Sequence, residues 1–190
     1  TRKHSRAERK KRAVPVSGRA SNIPHSLNTL HQQECEVVVA LTNNPKAEGI
    51  KIAKQASIPL EIIDSKAFEN REAFDRVVVE RLEAYQPELT VLAGFMRILT
   101  PIFTEQVKSI NLHPSLLPRH KGLNAIQKSY EDEHSHGGVS VHYVTSELDG
   151  GEVILQKEVA KEGLDFEAFD AKVRSVEKEA LVDAIKVVLS

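Results

Sequence analysis

Asn111 and His113 lie two residues apart in the run Ile110-Asn111-Leu112-His113-Pro114-Ser115-Leu116-Leu117-Pro118. Val107, Ile110 and Leu112 mark the end of a buried strand, and side chains two apart on a strand leave from one face. Pro114 has no N–H for a ladder and ends it. An amide and an imidazole are therefore expected side by side at a strand's carboxyl end, where open α/β sheets place ligands. Imidazole moves protons near neutral pH, and a carboxamide N–H₂ can steady a developing oxyanion. Taken alone, the pair also fits a polar strand end with a solvated histidine.

Asp149, in Glu147-Leu148-Asp149-Gly150-Gly151, offers a third group. A carboxylate beside an imidazole raises its pKa and holds its orientation, although an aspartate before Gly-Gly is commonly a turn residue. Ser17-Gly18-Arg19-Ala20-Ser21-Asn22 is a glycine turn running into a helix start, where free backbone N–H groups and a positive dipole end bind phosphate. Two details count against it. Pro15 removes a ladder donor from the preceding strand, and Ala20 stands where a second glycine would allow the closest backbone approach. Ala93-Gly94-Phe95-Met96-Arg97-Ile98-Leu99 follows another strand and could line a crevice or simply be core and turn. His113, His120, His134, His136 and His142 are five of the eight histidines and fall within thirty residues. No HExxH helix spacing appears among them, so no metal site is expected. Ser115 lacks the Gly-x-Ser-x-Gly elbow of a hydrolase nucleophile.

These residues must be carried by regular elements. Apolar runs at Ala13–Val16, Glu36–Leu41, Leu60–Ile63, Leu89–Ala93 and Ser109–Leu112 read as strands. Helical patterns at Ile23–His31, Ala47–Ala56 and Phe68–Tyr85 separate them, the last with Phe74, Val77, Val78, Leu82 and Tyr85 on one side. Strands alternating with helices predict βαβ units and a mostly parallel sheet covered on both faces. Beyond Gly137 the pattern changes. Val139, Val141 and Tyr143 alternate with Ser140, His142 and Val144 as in a strand with two unlike faces. Glu152–Val159 reads as a further strand after the Asp149-Gly150-Gly151 turn. An amphipathic helix from about Phe166 closes the chain, its stripe being Phe166, Phe169, Val173, Val176, Ala180 and Ala184.

At 190 residues the chain suits one domain with a substantial core. Cys35 is the single cysteine, which excludes an intramolecular disulfide framework and any multi-cysteine zinc site. No apolar run approaches the roughly 20 residues of a membrane span, and no secretory signal is seen, so a cytoplasmic protein is expected. Residues 1–12 hold seven Lys/Arg against one acid, Glu8, leaving 19 basic and 26 acidic residues in the rest. A disordered basic tail is thus expected before a mildly acidic domain at 13–190. The tail could be a nucleic-acid arm or, more plainly, a solvated extension.

Taken together, Ala93–Phe103 (AGFMRILTPIF), Ile110–Pro118 (INLHPSLLP), Gly138–Gly151 (GVSVHYVTSELDGG) and Val153–Gln156 (VILQ) closely resemble the phosphoribosylglycinamide formyltransferase family of folate-dependent formyltransferases. The likeness runs from about Ala13 to the closing helix. The His-Pro-Ser-Leu-Leu-Pro element is shared across the superfamily, while the Gly94–Leu99 segment and Asn70-Arg71-Glu72-Ala73-Phe74-Asp75 narrow it to this family. The resemblance implies a single Rossmann-like α/β domain, and transfer of a formyl group from 10-formyltetrahydrofolate to the primary amine of glycinamide ribonucleotide in purine synthesis. It implies that Asn111 and a protonated His113 stabilise the tetrahedral oxyanion, while Asp149 sustains the charge on His113 and orders a proton-relaying water. Ala20, Ser21 and Asn22 would hold the substrate phosphate, and Glu177 the ribose hydroxyls. Met96, Arg97, Ile98 and Leu99 would line the pterin pocket, with Arg71 and Asn111 also touching the folate and the Val144–Asp149 loop closing on it. The Leu117–Pro118 bond would be cis.

The family usually carries Gly-x-Gly-Ser-Asn where this chain has Gly18-Arg19-Ala20-Ser21-Asn22, and an apolar residue at Pro15. Partners are expected to be these small molecules, with a homodimer possible and no membrane or nucleic acid. The alternatives are a formyltetrahydrofolate deformylase, a methionyl-tRNA formyltransferase-like protein, or an impaired homologue with an RNA-binding arm. The first two families carry an extra domain not seen in these 190 residues.

Overall fold

The computed structural model describes residues 12–17, 36, 37, 39–43, 59–93 and 99–190. The helices expected at 23–31 and 47–56, residues 1–11, and the segments 18–22 and 94–98 lie outside the described residues. The strands are β1 (Arg12–Ser17), β2 (Glu36–Val37), β3 (Ala40–Thr42), β4 (Leu60–Ile62), β5 (Leu89–Ala93), β6 (Ser109–His113), β7 (His136–Tyr143) and β8 (Val153–Ala160). They form one sheet in the order β4-β3-β1-β5-β6-β7-β8, with β2 also paired to β1. Pairings from β4 through β6 are parallel, and β7 and β8 are added antiparallel. β1 opens at Arg12, one residue before the expected domain boundary. Pro15 is accommodated within β1, opposite Val91 of β5. The run expected as one strand at 36–41 is described as two short ones, both parallel to β1.

Four α-helices are described: α1 (Arg71–Glu83), α2 (Pro101–Thr104), α3 (Ala125–Glu131) and α4 (Phe166–Leu189). α1 starts later than its apolar pattern suggested because Asn70 caps it, accepting a hydrogen bond from the Ala73 N–H at 2.8 Å. Phe68 stays outside the helix and packs edge-on against Phe74. Asp165 caps α4 in the same way, accepting from the Ala168 N–H at 2.8 Å. α2 and α3 escaped the sequence reading, being too short to show a period of 3.6.

Strand alternation sorts the core into two layers. Leu89, Val91, Ile110, Leu112, Val139 and Val141 pack on one face against Phe169, Val173, Ala180, Leu181, Ala184 and Ile185 of α4. Val39, Leu41 and Leu92 pack on the other against Phe74, Val78 and Leu82 of α1, with Leu99 and Phe103. Phe166, expected in the stripe of α4, lies at its rim beside Tyr130. Because Ile110 and Leu112 face α4, Asn111 and His113 project to the α1 side. Their antiparallel partners on β7 are His142 and Ser140, which share that face. The fold thus gathers four polar side chains at the ends of two adjacent strands while the alternate positions stay apolar.

No helix among the described residues is long and apolar enough to cross a membrane. Phe169 is fully buried between α4 and the sheet, so Phe169→Ala is expected to cost about 3–5 kcal/mol of stability. A urea titration followed by circular dichroism would measure this as a lowered midpoint at unchanged slope.

Candidate active site

The loop that leaves β6 is held by a buried hydrogen-bond cluster. Ser140 Oγ donates to the Ser115 carbonyl at 2.7 Å and accepts from the Leu117 N–H at 3.0 Å. Gln156 Nε2 donates to the Leu117 carbonyl and to Ser140 Oγ, both at 2.9 Å, and Ser115 Oγ donates to the Arg119 carbonyl. The Leu117–Pro118 peptide is cis. Held in this way, the chain passes through left-handed backbone at His120 (φ 53°), Gly122 (φ 84°) and Asn124 (φ 58°). Asn and His accept that region more readily than most residues, and glycine does so at no steric cost.

This loop turns one backbone acceptor and one backbone donor onto the site. His113 Nε2 donates to the His120 carbonyl at 2.8 Å, and the Gly122 N–H donates to Asp149 Oδ2 at 2.9 Å. The same Oδ2 lies 3.5 Å from His113 Nδ1, and Asp149 Oδ1 lies 3.5 Å from His142 Nε2. Asp149 itself has φ 50° and is 8% exposed. Gly151 lets its turn close on β7, since a Cβ there would sit 1.7 Å from the Tyr143 carbonyl oxygen. His142 donates from Nδ1 to that same carbonyl at 2.8 Å, which leaves Nε2 buried and without a hydrogen bond.

The electrostatics follow from burial. For Asp149, burial pushes the carboxyl up, but His142, the Gly122 N–H and His113 outweigh it and hold it below the usual carboxylate range. For His113, burial dominates and pushes the imidazole below its ordinary value, against the His120 carbonyl and Asp149, which raise it. Each nitrogen of the ring nevertheless faces an acceptor, the His120 carbonyl at Nε2 and the Asp149 carboxylate at Nδ1.

A cleft opens on this face, lined by Leu92, Leu99, Asn111, His142 and the loop from Val144 to Asp149. Leu92, Leu99, Val144 and Leu148 give it apolar surface beside the polar side chains of Asn111, His142 and Asp149, a mix that suits a heterocycle that also needs hydrogen bonds. His113 is not among its lining residues and meets it through Asp149. Leu99 is fixed there by Thr100, whose N–H and hydroxyl donate to the buried Asp75 at 2.7 and 2.6 Å.

Arg71 is exposed at the first position of α1. Glu177 is 7% exposed, in register with Phe169, Val173, Ala180 and Ala184 on the buried side of α4, an uncommon place for a carboxylate. Ala20, Ser21, Asn22, Met96, Arg97 and Ile98 lie outside the described residues. Among the described residues no group of three His, Cys, Asp or Glu is arranged to hold a metal ion. His142, Ser140 and Gln156 were not singled out from sequence, although each lies in a motif that carried the resemblance.

A model of the formyl transferase family matches residues 10–185. The chain belongs to that family. This formyltransferase is 39% identical over 150 residues to the phosphoribosylglycinamide formyltransferase of Escherichia coli K12, covering 77% of this chain and 71% of that protein. It is 32% identical over 194 residues to the human trifunctional purine biosynthetic protein adenosine-3, covering 98% of this chain and 19% of that longer protein. The crystal structure of phosphoribosylglycinamide formyltransferase from Campylobacter jejuni superposes with a TM-score of 0.91 at 46% identity, covering 95% of this chain and 98% of that one.

Acid should destabilise this formyltransferase through both groups. Between the lowered folded value of His113 and the ordinary value of about 6.5, the unfolded chain binds a proton that the folded chain refuses, so stability falls as pH drops through that window. The contribution of Asp149 is present above its ordinary value and is lost at lower pH still, through its depressed folded value. The urea midpoint should therefore begin to fall below about pH 6.5, and His113→Asn should flatten that first limb. An unchanged limb in the variant would contradict the assignment.

Proposed function

We propose that this member of the formyl transferase family moves the formyl group of 10-formyltetrahydrofolate to the primary amine of glycinamide ribonucleotide, a step of purine biosynthesis. The observation that carries the reading is that Asn111 and Asp149, from two separated chain segments, line one cleft, with His113 set against Asp149 at 3.5 Å. Family membership, with phosphoribosylglycinamide formyltransferases as relatives across nearly the full length, supports the choice of substrates.

In the reaction, the amine lone pair forms a bond to the formyl carbon and the carbonyl π pair moves onto oxygen. The Asn111 carboxamide donates to that oxyanion. The attacking nitrogen loses its proton toward Asp149 and His113 Nδ1, directly or through a water. The carbon–nitrogen bond to folate then breaks, its electron pair stays on the folate nitrogen, and that nitrogen takes up the proton. Leu99, with Met96, Arg97 and Ile98, forms the pterin wall, and Arg71 contributes to folate binding. Ala20, Ser21 and Asn22 hold the phosphate, and Glu177 the ribose hydroxyls. The basic stretch 1–12, whose last residue opens β1, precedes a single domain. The protein works in the cytoplasm on small molecules, without membrane or nucleic-acid partners, and a homodimer is compatible with this role.

Mixing the protein with glycinamide ribonucleotide and a 10-formylated folate should give loss of formyl folate only when the amine is present. Folate consumption without the amine would indicate a hydrolase, and no consumption an impaired protein. His113→Ala should lower kcat by about 10²–10⁴-fold, the usual range for general acid–base catalysis, while folate binding by fluorescence is retained. Near-normal turnover in that variant would end the mechanism.

A further inference from the structure

α1 carries a carboxyl into the core. Asp75 is 2% exposed and shares its side of the helix with Val78, Val79 and Leu82, an uncommon setting for an aspartate. Such a group is costly to bury unless it is hydrogen-bonded. Among the described residues both of its hydrogen bonds come from one place. The Thr100 N–H at 2.7 Å and the Thr100 hydroxyl at 2.6 Å each donate to Oδ2.

Thr100 is the N-cap of α2, where a threonine hydroxyl ordinarily accepts from a backbone N–H of the first turn. Here it makes no such bond and is turned to Asp75 instead. The Thr100 carbonyl still opens the helix, accepting from the Phe103 and Thr104 N–H groups at 3.0 and 3.1 Å. Joining α1 to α2 does not require this exchange. Phe74, Val78 and Phe103 already belong to one apolar cluster, but apolar contact is non-directional. Two short bonds, to the backbone and the side chain of a single residue, add what packing lacks, a fixed point and a fixed orientation. The residue joined to that point is Leu99. It is 7% exposed, belongs to the same apolar cluster and lines the cleft together with Leu92, Asn111 and Val144.

We propose that Asp75 is a positioning residue for the folate cleft: by accepting both donors of Thr100 it holds Leu99 in place as a rigid part of the wall. Asp75 is not among the residues that line the cleft. Its effect therefore falls on the grip on the ligand and leaves the rate of transfer unchanged. The inference rests on the reading of this cleft as the folate site, while its structural content, the hold on Leu99, is measurable apart from that reading.

The whole chain is compared with Asp75→Ala, Thr100→Val and Thr100→Ser. Valine keeps the shape of threonine and loses the donor, serine keeps the donor, and the Thr100 pair decides should Asp75→Ala fail to fold. With 10-formylated folate binding followed by fluorescence, Kd should rise about tenfold in Asp75→Ala and Thr100→Val and stay within about twofold in Thr100→Ser. With glycinamide ribonucleotide added, KM for the amine and kcat at saturating folate should stay within about twofold in all three. In protein labelled with ¹³C at the leucine methyls, the Leu99 pair should report one rotamer in wild type and averaging in Asp75→Ala and Thr100→Val. A lowered urea midpoint with the folate Kd unchanged would show a purely structural link and overturn the inference. So would a Thr100→Ser variant weakened as far as Thr100→Val. Wild-type protein that binds no 10-formylated folate would count against the proposed function instead, and the Leu99 methyls would then decide the positioning role.

Discussion

Asp149 is an anion removed almost wholly from water, and the neighbourhood is arranged around answering its charge. An isolated carboxylate in such a place would take up a proton instead of remaining ionised. Here one oxygen receives a backbone N–H from Gly122 and faces His113, while the other faces His142. None of these partners belongs to the turn that carries Asp149. The carboxylate therefore reports on the joint placement of the β6 loop, β7 and the glycine turn, and each must be right for it to stay charged. Gly151 makes the turn possible by yielding the space beside the Tyr143 carbonyl, and His142 uses that same carbonyl to orient its ring.

The sheet supplies this arrangement through a single choice of register. Ile110, Leu112, Val139 and Val141 are drawn onto α4 by the burial of apolar surface, which sends Asn111, His113, Ser140 and His142 to the opposite face. Slipping β6 by a residue would turn Asn111 and His113 over and bury an amide and an imidazole in the α4 layer. The hydrophobic layer thus enforces the polar one without contacting it. An irregularity in the β7–β8 pairing at Val141/His142 falls where the ladder gives way to the site, a common use of bulged strands.

Much of this was open to a reader of the sequence, and the reason is periodicity. The alternation in Ile110-Asn111-Leu112-His113 states which side chains share a face, and the valine-rich runs between helical patterns state that the sheet is parallel. Motif likeness then joined Asp149 to His113 across 36 positions. The partners that tune the site were not legible, because they act through the backbone or across long separations. The His120 carbonyl and the Gly122 N–H carry no sequence signature beyond a glycine. The bond of Gln156 to Leu117 spans 39 positions, and that of Lys161 to Asp132 spans 29. Sequence can place a carboxylate near an imidazole, but only packing reveals how completely both have lost water.

The placement of His113 between two acceptors suits the proposed chemistry. Attack of an amine on a formyl carbon creates, in one intermediate, a cationic nitrogen and an anionic oxygen, so protons must move between the site and the reacting atoms. The His120 carbonyl takes the Nε2–H at 2.8 Å and the Asp149 carboxylate faces Nδ1 at 3.5 Å, so an imidazolium at this position has an acceptor on either side. Burial lowers the ring's basicity, yet the same loss of water weakens the screening of its attraction to Asp149. One physical cause therefore opposes the charge on the ring and strengthens the interaction that holds the charge once it is there.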